Sequence, residues 1–284
     1  METVVDVGTG PPLVLIPGIQ GRWEYLQPAI NALAKFFRVL SFPLAGERES
    51  GATFDPSLGL DNYTRQIAAI LDRRGLDAAT VCGISFGGLA AIRFAAAHPQ
   101  RTTALVLVST PGPDLNLSRR HRMYIRAPWL FGPLFLIETP RRIHAELRAV
   151  FPSVAARWRF ARGQLATLVR APLSTARMAA RATLIPPPAL REDCASISAP
   201  TLVIVGEPAL DRVVRVETTT AYLALIPQAR ARTLEGTGHL GSITHPEAFA
   251  GAVRHFVEGS ARPVNLHEVH ASPRSDEVSG HALA

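Results

Sequence analysis

Val81-Cys82-Gly83-Ile84-Ser85-Phe86-Gly87-Gly88 decides the architecture of this chain. The apolar run Ala79-Thr80-Val81-Cys82 leading into it reads as a strand. Leu89-Ala90-Ala91-Ile92-Arg93-Phe94-Ala95-Ala96-Ala97-His98, just after it, reads as a helix that stops at Pro99. Between them stands the pattern Gly-x-Ser-x-Gly. A turn this tight leaves no room for side chains at Gly83 and Gly87, and it holds the Ser85 hydroxyl away from the backbone. It also sets Ser85 at a helix N-terminus, where free N–H groups favour a developing negative charge. A glycine-rich turn with an incidental serine would not need the strand and helix that flank this one.

Outward from this turn, strand and helix alternate. Apolar runs at 4–7, 13–16, 39–42, 80–82, 104–108, 202–205 and 231–234 read as strands, several of them continuous, as in parallel strands covered on both faces. Helices are expected near 24–36, 61–74, 86–97, 213–225 and 246–257, with Asp61 as the N-cap of the second and Ile67, Ile70 and Leu71 on its apolar face. The alternation predicts an α/β fold with a mostly parallel, doubly wound sheet, whose ligands bind at the carboxyl ends of the strands.

A serine hydroxyl needs a base to become a nucleophile. His239, in Glu235-Gly236-Thr237-Gly238-His239-Leu240-Gly241 after the last strand, is the candidate. His245 is its rival, but it precedes Pro246 and reads as a helix start. The imidazole in turn needs an acid to fix its tautomer. Asp211, in the loop after the strand ending at Val205-Gly206, is the first choice, with Glu207 and Asp114 as alternatives; Asp211 would also suit a helix cap. A tetrahedral alkoxide needs two N–H donors. Phe86, directly after the serine, supplies one. Ile19, in Ile16-Pro17-Gly18-Ile19-Gln20-Gly21 after an early strand, is the expected source of the other.

Ser85, then Asp211, then His239 in chain order, with Pro17-Gly18-Ile19-Gln20-Gly21 upstream, resembles the α/β-hydrolase family over about residues 10–115 and 197–258. The resemblance implies a Ser-His-Asp hydrolase acting on esters, lactones, thioesters, amides or sometimes carbon–carbon bonds. It also implies that the segment between the strand at 104–108 and the acid-bearing strand is a helical cap. Two departures stand out. The His-Gly usual before the oxyanion residue is here Pro17-Gly18, which keeps the backbone donor and loses an imidazole. The acid usually follows its strand's glycine by about three positions, which here is Ala209; Asp211 comes two later.

Residues 115–191 do break the alternation. They read as helices near 117–126, 140–150, 153–170 and 173–184, punctuated by Pro128, Pro133, Pro152, Pro172 and Pro186-Pro187-Pro188, with Trp158, Ala161, Leu165 and Leu168 at helical spacing. The organisation expected is therefore a core at 1–114, a cap at 115–191, a second core part at 192–258 and a polar, mobile tail at 259–284 with Pro263, Pro273 and three histidines. The apolar stretch 123–137 is read first as packing the cap on the core, then as lining the mouth of a lipophilic site, then as contacting a membrane.

Charge sharpens this division. Net charge is +7, and Lys35 is the sole lysine, so the chain's basicity is arginine. Residues 115–191 hold fourteen Arg against Glu138 and Glu146, a local +12 that leaves −5 for the remainder. The first reading is a solvated arginine face; the second is attraction for anionic substrates or lipid. Nothing resembles a nucleic-acid-binding motif. No apolar run is long enough to span a bilayer, the start Met1-Glu2-Thr3-Val4-Val5-Asp6 lacks a signal-peptide pattern, and Cys82 and Cys194 belong to different segments, so a cytoplasmic location without a disulfide is expected. No Cys/His cluster suggests a metal, and no cofactor is expected. The pattern carries no signal for oligomeric state.

Together these features predict a serine hydrolase that cleaves an ester-like bond of a small, lipophilic acyl substrate through an acyl-enzyme. The alternatives are an acyltransferase using the same residues and a non-catalytic ligand-binding protein on the same fold.

Overall fold

Seven strands build one sheet in the computed structural model, which describes residues 3–115 and 117–261. They are β1 (Val5–Val7), β2 (Pro12–Ile16), β3 (Arg38–Ser41), β4 (Ala79–Ile84), β5 (Thr102–Val108), β6 (Thr201–Val205) and β7 (Ala229–Thr233). Their order is β1-β3-β2-β4-β5-β6-β7. Only the edge strand β1 is antiparallel to its neighbour. The mostly parallel, doubly wound sheet expected from the alternation is present.

Alternate residues of each inner strand feed opposite layers, as the two-residue strand period requires. Val14, Ile16, Val81, Leu105, Leu107, Val203 and Val205 face one layer. It contains α2 (Asp61–Arg73), α3 (Phe86–Ala97) and α8 (Leu190–Ser196), with Ile67, Ile70 and Leu71 buried as predicted. Leu13, Leu15, Cys82, Val106, Leu202 and Ile204 face the other, formed by α1 (Gln27–Leu33) and α12 (Pro246–Ala261). Both cysteines are buried and free.

Four helices stand between β5 and β6: α4 (Arg119–Arg126), α5 (Pro128–Val150), α6 (Val154–Arg170) and α7 (Thr175–Ala182). Ser118, Ser153 and Ser174 cap α4, α6 and α7, each accepting a hydrogen bond from an N–H of the first turn. The helix predicted at 140–150 begins twelve residues earlier, at Pro128. Pro128 sits at the first helical position, where no N–H is needed. Pro133 and Pro140 lie inside, each deleting one helical hydrogen bond without ending the helix.

Three further expectations are corrected. Asp61 is the first residue of α2, not its N-cap; its carboxylate instead accepts from Arg93 Nε at 2.7 Å. The helix expected at 213–225 is two short ones, α9 (Val216–Thr220) and α10 (Tyr222–Leu225), and it starts late because Asp211 ties down the N–H groups of Val213 and Val214 ahead of it. Helix α12 continues to Ala261, past the boundary expected at 259; residues 262–284, the rest of the expected tail, lie outside the described residues.

Candidate active site

The strand order reverses between β2 and β4, the place where open α/β sheets leave a crevice at their carboxyl ends. The register Ile16↔Gly83 sets the loop after β2 beside the turn after β4. A Cβ on Gly18 would lie only 3.5 Å from that of Ser85, so the two loops are in contact. At the other end of the crevice, β6 and β7 pair from Thr201↔Ala229 to Val205↔Thr233, which aligns the Asp211 loop with the His239 loop.

Ser85 adopts φ +52° and ψ −121°, a left-handed conformation rare outside glycine. The strain is held by close packing on both sides. A Cβ at Gly83 would meet the Gly87 carbonyl oxygen at 2.3 Å, and one at Gly87 would meet the Ile16 carbonyl oxygen at 2.4 Å. The turn therefore needs both glycines, and the serine is pinned by backbone: its N–H donates to Val108 O at 2.7 Å and its carbonyl accepts from Gly88 N at 2.9 Å. Phe86 opens α3, so its N–H has no acceptor within the helix.

Asp211 and His239 are brought together. Nδ1 of His239 lies 3.3 Å from Asp211 Oδ2, while Asp211 Oδ1 accepts from the N–H groups of Val213 and Val214, both at 3.0 Å. Asp211 is both the imidazole's partner and a loop cap. Burial opposes its ionisation; the His239 ring and the two N–H groups outweigh burial and hold the carboxyl below its usual range. The alternatives are placed elsewhere. Glu207 accepts from Gly236 N at 2.6 Å, and Asp114 pairs with Arg191 on the surface. His245 precedes α12, as expected, with its Nδ1 against Thr244 Oγ1 at 3.5 Å. The Ser85 hydroxyl has no hydrogen-bond partner among the described residues, so the structure joins acid to imidazole but not imidazole to serine.

Ser85, Ile19 and Phe86 share the wall of a cavity of about 180 Å³. Most of the remaining wall is apolar and comes from the insertion and its flanks, including Leu117, Ile125, Met178 and Val214. Of the stretch 123–137, Tyr124, Ile125, Pro128 and Gly132 line the cavity, whereas Trp129, Leu130, Leu134 and Ile137 are exposed rather than packed on the core. Arg142 reaches the wall but lies 3.4 Å from Glu138, which also accepts from the Tyr124 hydroxyl at 2.9 Å. His121 lines it too, with burial first and Arg142 second depressing its basicity.

Two residues of the insertion that sequence reasoning missed grip the loops that carry Ile19 and His239. Arg181, 2% exposed, donates to Ile19 O at 3.0 Å and to Glu47 at 2.6 Å. Glu146, 1% exposed, accepts from Leu240 N, next to His239. Burial raises the Glu146 carboxyl above its usual range against the opposing pull of the Gly238 and Leu240 N–H groups. The signal for Glu146 was its scarcity: it is one of two acids among fourteen arginines. Arg181 had no such mark.

The sequence pattern of the alpha/beta hydrolase family matches residues 13–252, and the chain belongs to that family. It is an enzyme of the hydrolase class. Among curated relatives it is similar to the 2-hydroxymuconate semialdehyde hydrolase of Pseudomonas sp. (strain CF600), 27% identical over 268 residues that cover 89% of this chain and 88% of that one. Among solved structures it shares its fold with a thermophilic esterase from Thermogutta terrifontis, with a TM-score of 0.73, 24% identity and coverage of 92% and 94%. It likewise shares its fold with the enol-lactonase from Burkholderia xenovorans LB400, with a TM-score of 0.69, 22% identity and coverage of 90% and 96%.

Proposed function

We propose that the protein is a serine hydrolase that cleaves a carboxylic ester, lactone or thioester of a small, lipophilic substrate through an acyl-enzyme. What carries the reading is Ser85: a strained serine at a strand-to-helix turn, on the wall of an apolar cavity that Ile19 and Phe86 also line. In this mechanism His239, oriented by Asp211, takes the proton of Ser85 as Oγ attacks the carbonyl. The alkoxide accepts hydrogen bonds from the Ile19 and Phe86 N–H groups. His239 returns the proton to the leaving group, then draws one from the water that attacks the acyl-enzyme. The insertion acts as a cap that keeps bulk water from the acyl group. Its apolar lining supports a lipophilic acyl or alcohol portion, and the pairing of Arg142 with Glu138 counts against a site dominated by positive charge. The free, buried cysteines accord with a cytoplasmic enzyme.

The test is hydrolysis of a panel of neutral nitrophenyl esters, thioesters and lactones by the wild type and Ser85→Ala. Turnover that vanishes in the variant, with its melting transition retained, supports the reading. Equal turnover in Ser85→Ala would overturn it.

A further inference from the structure

Helix α6 is inverted. At 100° per residue, Val154, Trp158, Leu165 and Val169 fall within a sector of about 60°. A stripe of this kind normally faces a core. Here its members are 61%, 66%, 60% and 77% exposed. The half-buried residues, Ala156, Arg157, Phe160, Gln164 and Thr167, occupy the opposite side. Phe160 stacks on Phe151 there, with ring centroids 5.3 Å apart, and the chain just beyond the helix is tethered by the Tyr25 hydroxyl donating to Ala171 O. The helix is thus docked by its mixed face and presents its apolar face outward.

Its charge says what would cover that face. The helix carries Arg157, Arg159, Arg162 and Arg170 and no acid. None of the four forms an ion pair with a described residue; Arg157 and Arg170 bond only to nearby backbone carbonyls. Helix α5, which precedes α6 in the chain, also exposes apolar side chains, with Trp129 at 79% and Ile137 at 69%. A second copy of the chain would press two arginine-only helices, each on a +12 cap, against one another. No helix among the described residues is long and apolar enough to cross a membrane. An exposed stripe with tryptophan beside unpaired arginines suits a helix lying in the headgroup region of an anionic bilayer.

We propose that α6 docks the cap on an anionic lipid surface, with Trp158, Leu165 and Val169 inserted among the acyl chains and the arginines at the headgroups. This binding is independent of the chemistry at Ser85.

The test is co-sedimentation of the full chain with vesicles of phosphatidylcholine alone and of phosphatidylcholine mixed with phosphatidylglycerol, with tryptophan emission recorded in parallel. Expected are binding to the anionic vesicles that weakens as salt rises, a blue shift of the emission, and a loss of affinity of about tenfold or more in Trp158→Ser/Leu165→Ser. That variant changes only exposed side chains and should keep its melting temperature. Absence of binding to either vesicle, equal binding to both, or self-association that the double variant abolishes without any vesicle binding would each overturn the proposal.

Discussion

Both carboxylate oxygens of Glu146 lie 3.0 Å from the backbone nitrogen of Leu240, the residue after His239. A side chain of the insertion thereby fixes the loop that carries the proposed base. Glu146→Ala should leave that N–H without its buried acceptor and cost about 1–3 kcal/mol of stability, with a larger fall in kcat than in substrate affinity. Glu146→Gln keeps an oxygen acceptor and should restore most of kcat. Urea unfolding and steady-state kinetics on the same variants check both.

The raised Glu146 carboxyl gives this comparison a pH dependence. Its folded value exceeds the ordinary 4.5, so its contribution to stability is fully present below that value and is lost as pH rises through the folded one. Glu146→Gln does not titrate. The stability of Glu146→Gln relative to the wild type should therefore improve as pH rises from below 4.5, and denaturant titrations across pH 4–8 read this directly.

Asp211 titrates in the opposite sense. Its folded value lies below the ordinary 3.8, so its contribution is present above 3.8 and is lost as pH falls through the folded value. Asp211→Asn should be less stable than the wild type at neutral pH, with the gap closing in strong acid. It should also lower kcat by about 10³–10⁴, because an amide does not select the imidazole tautomer that can accept the Ser85 proton. Glu207→Gln should leave kcat within about threefold, since Glu207 is engaged with Gly236 rather than with the imidazole.

Arg181 and Glu47 form a buried pair, 2% and 1% exposed at the side chain, and Arg181 also holds the Ile19 carbonyl. Arg181→Met should cost about 1.5–3 kcal/mol, since the buried Glu47 carboxylate loses one of its two arginine partners and keeps Arg177 at 3.0 Å, and Arg181→Met/Glu47→Gln should recover part of that loss. If the Ile19 peptide supplies the oxyanion donor, the double variant should remain slow although its stability partly returns. A double-mutant cycle scored for both unfolding and kcat separates the two roles.

Legibility in the sequence followed the range of the forces involved. The elbow was readable because Gly83, Ser85 and Gly87 meet a local steric demand between a strand and a helix. The inner strands were readable because burial on both faces makes them continuous apolar runs, such as Leu105-Val106-Leu107-Val108. The Asp211–His239 pairing was readable as two loops after strands, although only the β6–β7 register shows that those loops are neighbours. In the insertion, α4, α6 and α7 lie within two residues of their expected spans, and the span of α5 does not. Pro133 reads as a break and Pro140 as the first residue of a helix, yet α5 runs through both. Trp158 and Leu165 were correctly placed on one face, but periodicity does not say whether that face looks inward or outward. The roles of Glu146 and Arg181 rest on contacts across about a hundred residues or more, beyond the reach of any local pattern.

The proposed mechanism makes Ser85 an activated nucleophile served by His239. Its most direct test is labelling of the folded wild type with two fluorophosphonates, one small and one long-chained, with the modified residue mapped by peptide mass. The mechanism requires adduct at Ser85 in the wild type and its loss in both Ser85→Ala and His239→Ala. Absence of adduct at Ser85 with either probe, or undiminished labelling of Ser85 in His239→Ala, would contradict it.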